Sequence, residues 1–172
     1  MNISHSMPRI YVACLAAYNN CYLHGAWIDV TDVETLKTEI QAMLAKSPIT
    51  NAEEWAIHDY EGFESLSLGE FESLDDVVAY AEFIKEHGEL GAELYNYYGD
   101  LDSAVTALED DYHGEHDSEE DFARQLFDDC YAHELPKQLS YYIDYEKFSH
   151  DLFISDYLSI ECGGKTHVFA SH

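Results

Sequence analysis

The stretch ALEDDYHGEHDSEEDFARQLFDDC, residues 107–130, sets ten carboxylates and two histidines beside a single arginine. Three chemistries could use such a set. Imidazole and carboxylate together are ordinary zinc ligands, and His113-Gly114-Glu115-His116 offers both. Those histidines stand three apart across a glycine, however, without the H-E-x-x-H order that puts two imidazoles on one helical face, and no third ligand is spaced to join them. An EF-hand calcium loop is almost matched, although its first place calls for Asp. Over Glu109 to Glu120, Gly114 takes the sixth place and Glu120 the twelfth, with Glu109 and Asp111 first and third. His113 then stands where an oxygen ligand is expected, and His116 where an apolar side chain is usual. The third use is the charge itself, as a field of fixed anions for a positively charged partner.

Catalysis finds less support. The chain has no G-x-S-x-G, no Walker A loop and no G-x-G-x-x-G. Adjacent acids such as Asp75-Asp76 and Glu119-Glu120 suit acid–base work, yet among 35 carboxylates such pairs arise by chance. Tyr97-Tyr98 and Tyr141-Tyr142 read as core or interface residues, because no basic groove accompanies them to make a base-stacking platform. The expectation is a protein that is not an enzyme and takes no cofactor.

Composition explains why the charge matters. The 172 residues carry 35 acids against 8 Lys and Arg, a formal net charge of −27, while 47% of residues are hydrophobic. That apolar share is too high for disorder, so the chain is expected to fold. Residues 1–60 hold 7 acids against 3 bases, residues 61–134 hold 23 against 2, and residues 135–172 hold 5 against 3. A surface without Lys or Arg clusters cannot release phosphate counterions, which argues against direct nucleic-acid binding and against anionic membranes. Cys14, Cys21, Cys130 and Cys162 form no C-x-x-C pair and read as reduced thiols. The N-terminal MNISHSMPRI lacks a basic and then apolar leader, and no apolar run approaches the roughly 18 residues of a membrane span. A soluble cytoplasmic chain is expected.

The elements that must position these acids form three abutting units of an α+β chain. Residues 1–66 read as a mixed α/β unit: a strand over Arg9 to Tyr18, a turn at Asn19-Asn20, a strand over His24 to Val30, a helix capped at Thr31 with Glu34 completing a capping box, and a strand over Glu54 to Tyr60. Residues 67–101 read as a small helical unit. Ser73 caps a helix whose Leu74, Val77, Val78, Ala81 and Ile84 make one apolar face, Gly88 stops it, and a second helix runs from Glu89 to Tyr98. Residues 102–172 are again mixed: a helix over Asp102 to Glu109, strand-like DYHGEHD, a helix opened by Ser118 with Phe122, Leu126 and Phe127 as its stripe, a break at Leu135-Pro136, short helices at Gln138 to Tyr142 and Tyr145 to Leu152, and a hairpin folding at Gly163-Gly164.

Helical carboxylates three or four apart lie about 5–6 Å from one another, and duplex DNA offers about one fixed anion per 1.7 Å of axis. Rows of Asp and Glu can therefore stand in for phosphates in a basic cleft, whose Arg and Lys form charge-assisted bonds with either anion. The candidates are Glu70, Glu72, Asp75, Asp76, Glu82, Glu86, Glu89 and Glu93 before Gly99, then Asp100, Asp102, Glu109, Asp110 and Asp111. Glu115, Asp117, Glu119, Glu120, Asp121, Asp128 and Asp129 complete them.

Three segments resemble the ArdA antirestriction proteins of conjugative plasmids and transposons: PRIYVACLAAYNNCYLHGAWIDV (Pro8 to Val30), AIHDYEGF (Ala56 to Phe63) and YIDYEKFSHDL (Tyr142 to Leu152). Between the last two, LEDDYHGEHDS is similar to the family's antirestriction motif. The resemblance implies an elongated, curved homodimer of three small domains, joined through its C-terminal domain. It implies a DNA mimic that occupies the DNA-binding groove of type I restriction–modification enzymes, at their methyltransferase core, and so blocks restriction of incoming DNA. The alternative is a calcium-binding acidic module built on Glu109 to Glu120.

Overall fold

The computed structural model describes residues 6–172; the first five residues of the N-terminal stretch read above lie outside them. The chain is mixed helix and strand, as the α+β expectation has it, and it divides into two compact units, Met1–Ala92 and Glu93–His172.

In the first unit, alternating apolar residues build a three-stranded antiparallel sheet. Its central strand β1 (Arg9–Cys14) lies between β2 (Gly25–Asp29) and β3 (Trp55–Glu61). Ile10, Val12 and Cys14 are fully buried on one side of β1, as a period of two requires. The strand expected to run on to Tyr18 stops at Cys14. Its Sγ accepts the Ala17 N–H at 3.5 Å and caps a five-residue helix, α1 (Leu15–Asn19), where Ala16 and Ala17 favour helix over strand. The helix α2 (Val33–Ala45) packs on β1 and β2 and buries Leu36, Ile40, Met43 and Leu44. Its cap is Asp32 and not Thr31: the Asp32 carboxylate accepts the Thr35 N–H at 2.9 Å and the Thr35 hydroxyl at 2.7 Å. An anion at that position also meets the positive end of the helix dipole.

Ser73 caps α3 (Leu74–Tyr98) as expected, its Oγ accepting the Asp76 N–H at 3.1 Å. Val77, Ala81 and Ile84 are buried along one stripe, while Leu74 and Val78 are half-buried. The regular helix breaks at Gly88, which sits at φ 57°, ψ −142°, a conformation essentially reserved for glycine. The boundary between the two units falls beyond it, inside α3.

The second unit opens with α4 (Leu101–Thr106), capped by Asp100. The helix expected over Asp102 to Glu109 keeps its α geometry only to Thr106 and then widens into a π-turn, Ala107–Asp111. It passes directly into β4 (Tyr112–His116). Then come α5 (Glu119–Cys130), two tight turns at Ala132–Glu134 and Lys137–Tyr142, α6 (Tyr145–Ser155), and the hairpin of β5 (Tyr157–Cys162) and β6 (Lys165–Ala170). The sheet order is β4-β6-β5, all antiparallel. Gly163 and Gly164 both have positive φ, 59° and 76°, which a two-residue hairpin loop demands. Val168 and Phe169 of β6 are fully buried. Phe122 of α5 meets Tyr157 at 4.8 Å and Phe153 at 5.8 Å between ring centres. Phe122, only 4% exposed, contributes about 1.5–3 kcal/mol by leaving water. Leu126, expected in the stripe, is only half-buried; Ala123 takes its place in the core.

No helix among the described residues is long and apolar enough to cross a membrane. Because only glycine tolerates the backbone at position 88, Gly88→Ala is expected to cost about 1–3 kcal/mol, read as a lower urea midpoint. An unchanged midpoint contradicts that conformation.

Candidate functional site

The structure sorts the twenty candidate acids by what holds each one. Fifteen are exposed: Glu70, Asp75, Asp76, Glu82, Glu86, Glu89, Asp100, Asp102, Glu109, Asp110, Glu115, Asp117, Asp121, Asp128 and Asp129. Glu72, Glu93, Glu119 and Glu120 are half-buried. Asp111 is different, with only 8% of its surface exposed. The π-turn rotates its carboxylate inward, where it lies 2.5 Å from His172 Nε2. It is a packing residue of the second unit.

In the first unit the acids cluster around the start of α3. Helix geometry explains the placement: Asp75 and Asp76 lie in its first turn, where carboxylates are favoured by the helix dipole. Asp76 also accepts the Ser73 hydroxyl at 2.7 Å, Glu72 accepts the Gly69 N–H at 3.1 Å, and Glu70 lies 3.6 Å from His58. Glu82 and Glu86 follow one turn apart. The row expected to continue from Glu86 to Glu89 does not, since Gly88 leaves the helical path between them and the three-residue spacing no longer sets their separation.

The second unit carries the denser set. Asp100 caps α4 by accepting the Ser103 N–H at 2.8 Å, and that bond holds its pKa below the ordinary carboxylate value. Asp102 is in the first turn of α4; Glu109 and Asp110 lie on the π-turn. From β4 onward the acids line one groove: Glu115, Asp117, Asp121, Asp128 and Asp129 share it with His116, Gln125, Arg124 and Lys165. Both cations there are already bonded within the chain. Arg124 reaches Glu120 at 2.6 Å and lies over the Tyr145 ring at 4.2 Å, and Lys165 reaches Asp117 at 2.5 Å. The hydrogen bond from Lys165 lowers the Asp117 pKa, and the same bond raises that of Lys165. Among the described residues, Glu115, Asp121, Asp128 and Asp129 have no Lys, Arg or His within ion-pair distance.

A neighbouring hollow is lined by Glu119, Glu120, Glu146 and Glu161 with Ser149 and Thr166. Glu119 accepts the Ser159 hydroxyl at 2.6 Å, and Glu161 accepts that of Thr166 at 2.6 Å. Glu146 and Glu161 were missed by reading charge density along the chain, because residues 135–172 are nearly balanced. The fold supplies what density cannot: α6 packs on α5 and the hairpin register brings Glu161 opposite Thr166. The Gly163-Gly164 turn, counted backwards, is the signal that would have found Glu161.

The calcium register is not formed. Glu109 to Asp111 complete the π-turn, Tyr112 to His116 are a strand paired with β6, and Glu119-Glu120 open α5. An EF-hand loop needs its first, third and fifth places, here Glu109, Asp111 and His113, to converge on an ion, and the π-turn and the paired strand hold them otherwise. His113 and His116 are likewise committed to packing. The His113 ring meets Tyr157 at 5.3 Å, the His116 ring meets Phe122 at 5.1 Å, and His116 Nε2 lies 3.1 Å from the His113 carbonyl.

Asp128 and Asp129 stand out electrostatically. They lie in the last turn of α5, where the dipole presents its negative end and an exposed carboxylate costs about 0.3–1 kcal/mol. Asp128→Asn and Asp129→Asn are therefore expected to raise the thermal midpoint; a fall in both contradicts the dipole argument.

No curated protein matches the chain. The family model described as Antirestriction protein (ArdA) matches residues 10–165, which takes in both units, the acidic groove and nearly the whole sequence, and the chain belongs to the ArdA antirestriction protein family.

Proposed function

We propose that this antirestriction protein acts as a DNA mimic, its carboxylates occupying the DNA-binding groove of a type I restriction–modification enzyme at the methyltransferase core. One observation carries the reading: among the described residues, Glu115, Asp121, Asp128 and Asp129 of the second unit's groove make no direct ion pair, while its two cations are bonded to Glu120 and Asp117. Anions left in that state are available to Arg and Lys of a partner evolved to hold phosphates. Asp75, Glu82 and Glu89 of the first unit extend the anionic supply. Such a protein works by stoichiometric occupation, without turnover, in the cytoplasm where restriction enzymes meet incoming DNA. It does not itself bind nucleic acid.

Long-range attraction draws decoy and target together, and many weak pairs then act jointly. Exposed pairs each contribute about 0.2–1 kcal/mol. Glu89→Gln is therefore expected to change inhibition by about fivefold or less, whereas joint neutralisation of Glu115, Asp121, Asp128 and Asp129 abolishes competition with duplex DNA for the methyltransferase core. Complete loss from Glu89→Gln alone, or full competition by the fourfold variant, defeats the proposal.

The same reading includes a homodimer joined through the C-terminal domain of a three-domain chain (1–66, 67–101, 102–172). Exposed apolar side chains at Leu139, Tyr141 and Tyr142, the two tyrosines more than 80% exposed, support it, since such patches mark interaction surfaces. Light scattering is expected to give twice the chain mass, and the chain mass for Tyr141→Glu/Tyr142→Glu. A wild-type monomer contradicts the dimer.

A further inference from the structure

Lys165 is oddly placed for a groove whose use is to be anionic. As the first residue of β6 it follows the Gly163-Gly164 loop and brings its ammonium among carboxylates of β4 and α5. Asp117 first, then Glu115 and Asp121, favour its charged form. By Coulomb's law alone the groove would attract a basic partner better without it.

The geometry gives the cation a different use. Asp117 and Ser118 form the whole link between β4 and α5, and Ser118 is the α5 cap, its Oγ accepting the Asp121 N–H at 3.1 Å. Glu115, Asp117 and Asp121 thus come from a strand end, a two-residue link and a first helical turn, three backbone settings with no common repeat to space them. On the backbone His116 pairs with Thr166. The Lys165–Asp117 bond ties the link itself to the hairpin beside that pairing, while the Ser159–Glu119 bond ties the first residue of α5 to the hairpin's other strand. Arg124 has no such role: its carboxylate partner is one turn back on its own helix and its ring partner lies on α6.

We infer that Lys165 is a positioning residue for the partner-binding groove, holding Asp117 and, through the link it fastens, Glu115 and Asp121 as one spaced set of anions. The inference rests on the groove being the partner surface proposed above. It makes the sign of a substitution the test, because removing a cation makes the protein more negative yet should weaken its binding.

The experiment uses the full chain in competition with duplex DNA for a type I methyltransferase core, together with amide NMR spectra of the free protein. Lys165→Met is expected to weaken binding about threefold, Asp117→Asn to do the same, and the double variant to be no weaker than either single one. Lys165→Arg restores the wild-type value. In the free protein, amide signals of residues 115–121 shift in Lys165→Met and return in Lys165→Arg. Binding by Lys165→Met that equals or exceeds wild type, with those amides unmoved, overturns the inference. Failure of the wild-type chain to compete at all removes the proposed function instead, and the amide signals then decide by themselves whether Lys165 orders the groove.

Discussion

Carboxylates fixed near one another repel, and a chain of net charge −27 folds only where something local outweighs that repulsion. Helix N-termini do much of it here. Asp32, Asp100 and Asp144 are caps, and Glu34, Asp75, Asp76, Asp102, Glu119, Glu120, Asp121 and Glu146 lie in first turns. The three caps accept the backbone N–H groups of Thr35, Ser103 and Lys147, and the first-turn acids lie at the positive end of a dipole, so much of the charge is met without cations. The caps also fix helix starts, which ties the anionic surface and the secondary structure to the same residues. A protein stabilised mainly by ion pairs would have its acids occupied; this one keeps many of them open.

The apolar cores then need only be small and dense. A sheet packed by α2, with the buried stripe of α3, in the first unit, and aromatic rings between α5, α6 and the hairpin in the second, leave the outward sides to Asp and Glu. Asp128 and Asp129 are the exception, because they sit where the α5 dipole opposes them. Residues held against local stability are what a surface shaped for a partner contains. In the proposed mechanism that partner is the phosphate-binding groove of a restriction enzyme, and affinity is spread over many weak contacts instead of one anchor.

Much of this was legible in the sequence, for reasons that can be stated residue by residue. The Ser73 and Ser118 caps, the stop at Gly88 and the Gly163-Gly164 hairpin are local: each is decided by one or two side chains and the backbone they permit. The end of β1 at Cys14 was not legible, since the apolar run through Leu15, Ala16 and Ala17 reads equally as strand or helix until Cys14 accepts a hydrogen bond. The burial of Asp111 was hidden because a π-turn, with one residue more than the α repeat, leaves no mark on periodicity. Glu146 and Glu161 escaped notice for a third reason: their place beside α5 is set by tertiary packing, which charge counts along the chain do not contain.

In the proposed mechanism open carboxylates take the place of phosphates. The most direct measurement is the Kd of the full chain for a type I methyltransferase core over a rising salt series, with and without duplex DNA. Log affinity is expected to fall steeply and linearly with log salt, and duplex and protein to exclude one another. Affinity indifferent to salt, or a ternary complex holding both protein and duplex, would contradict that mechanism.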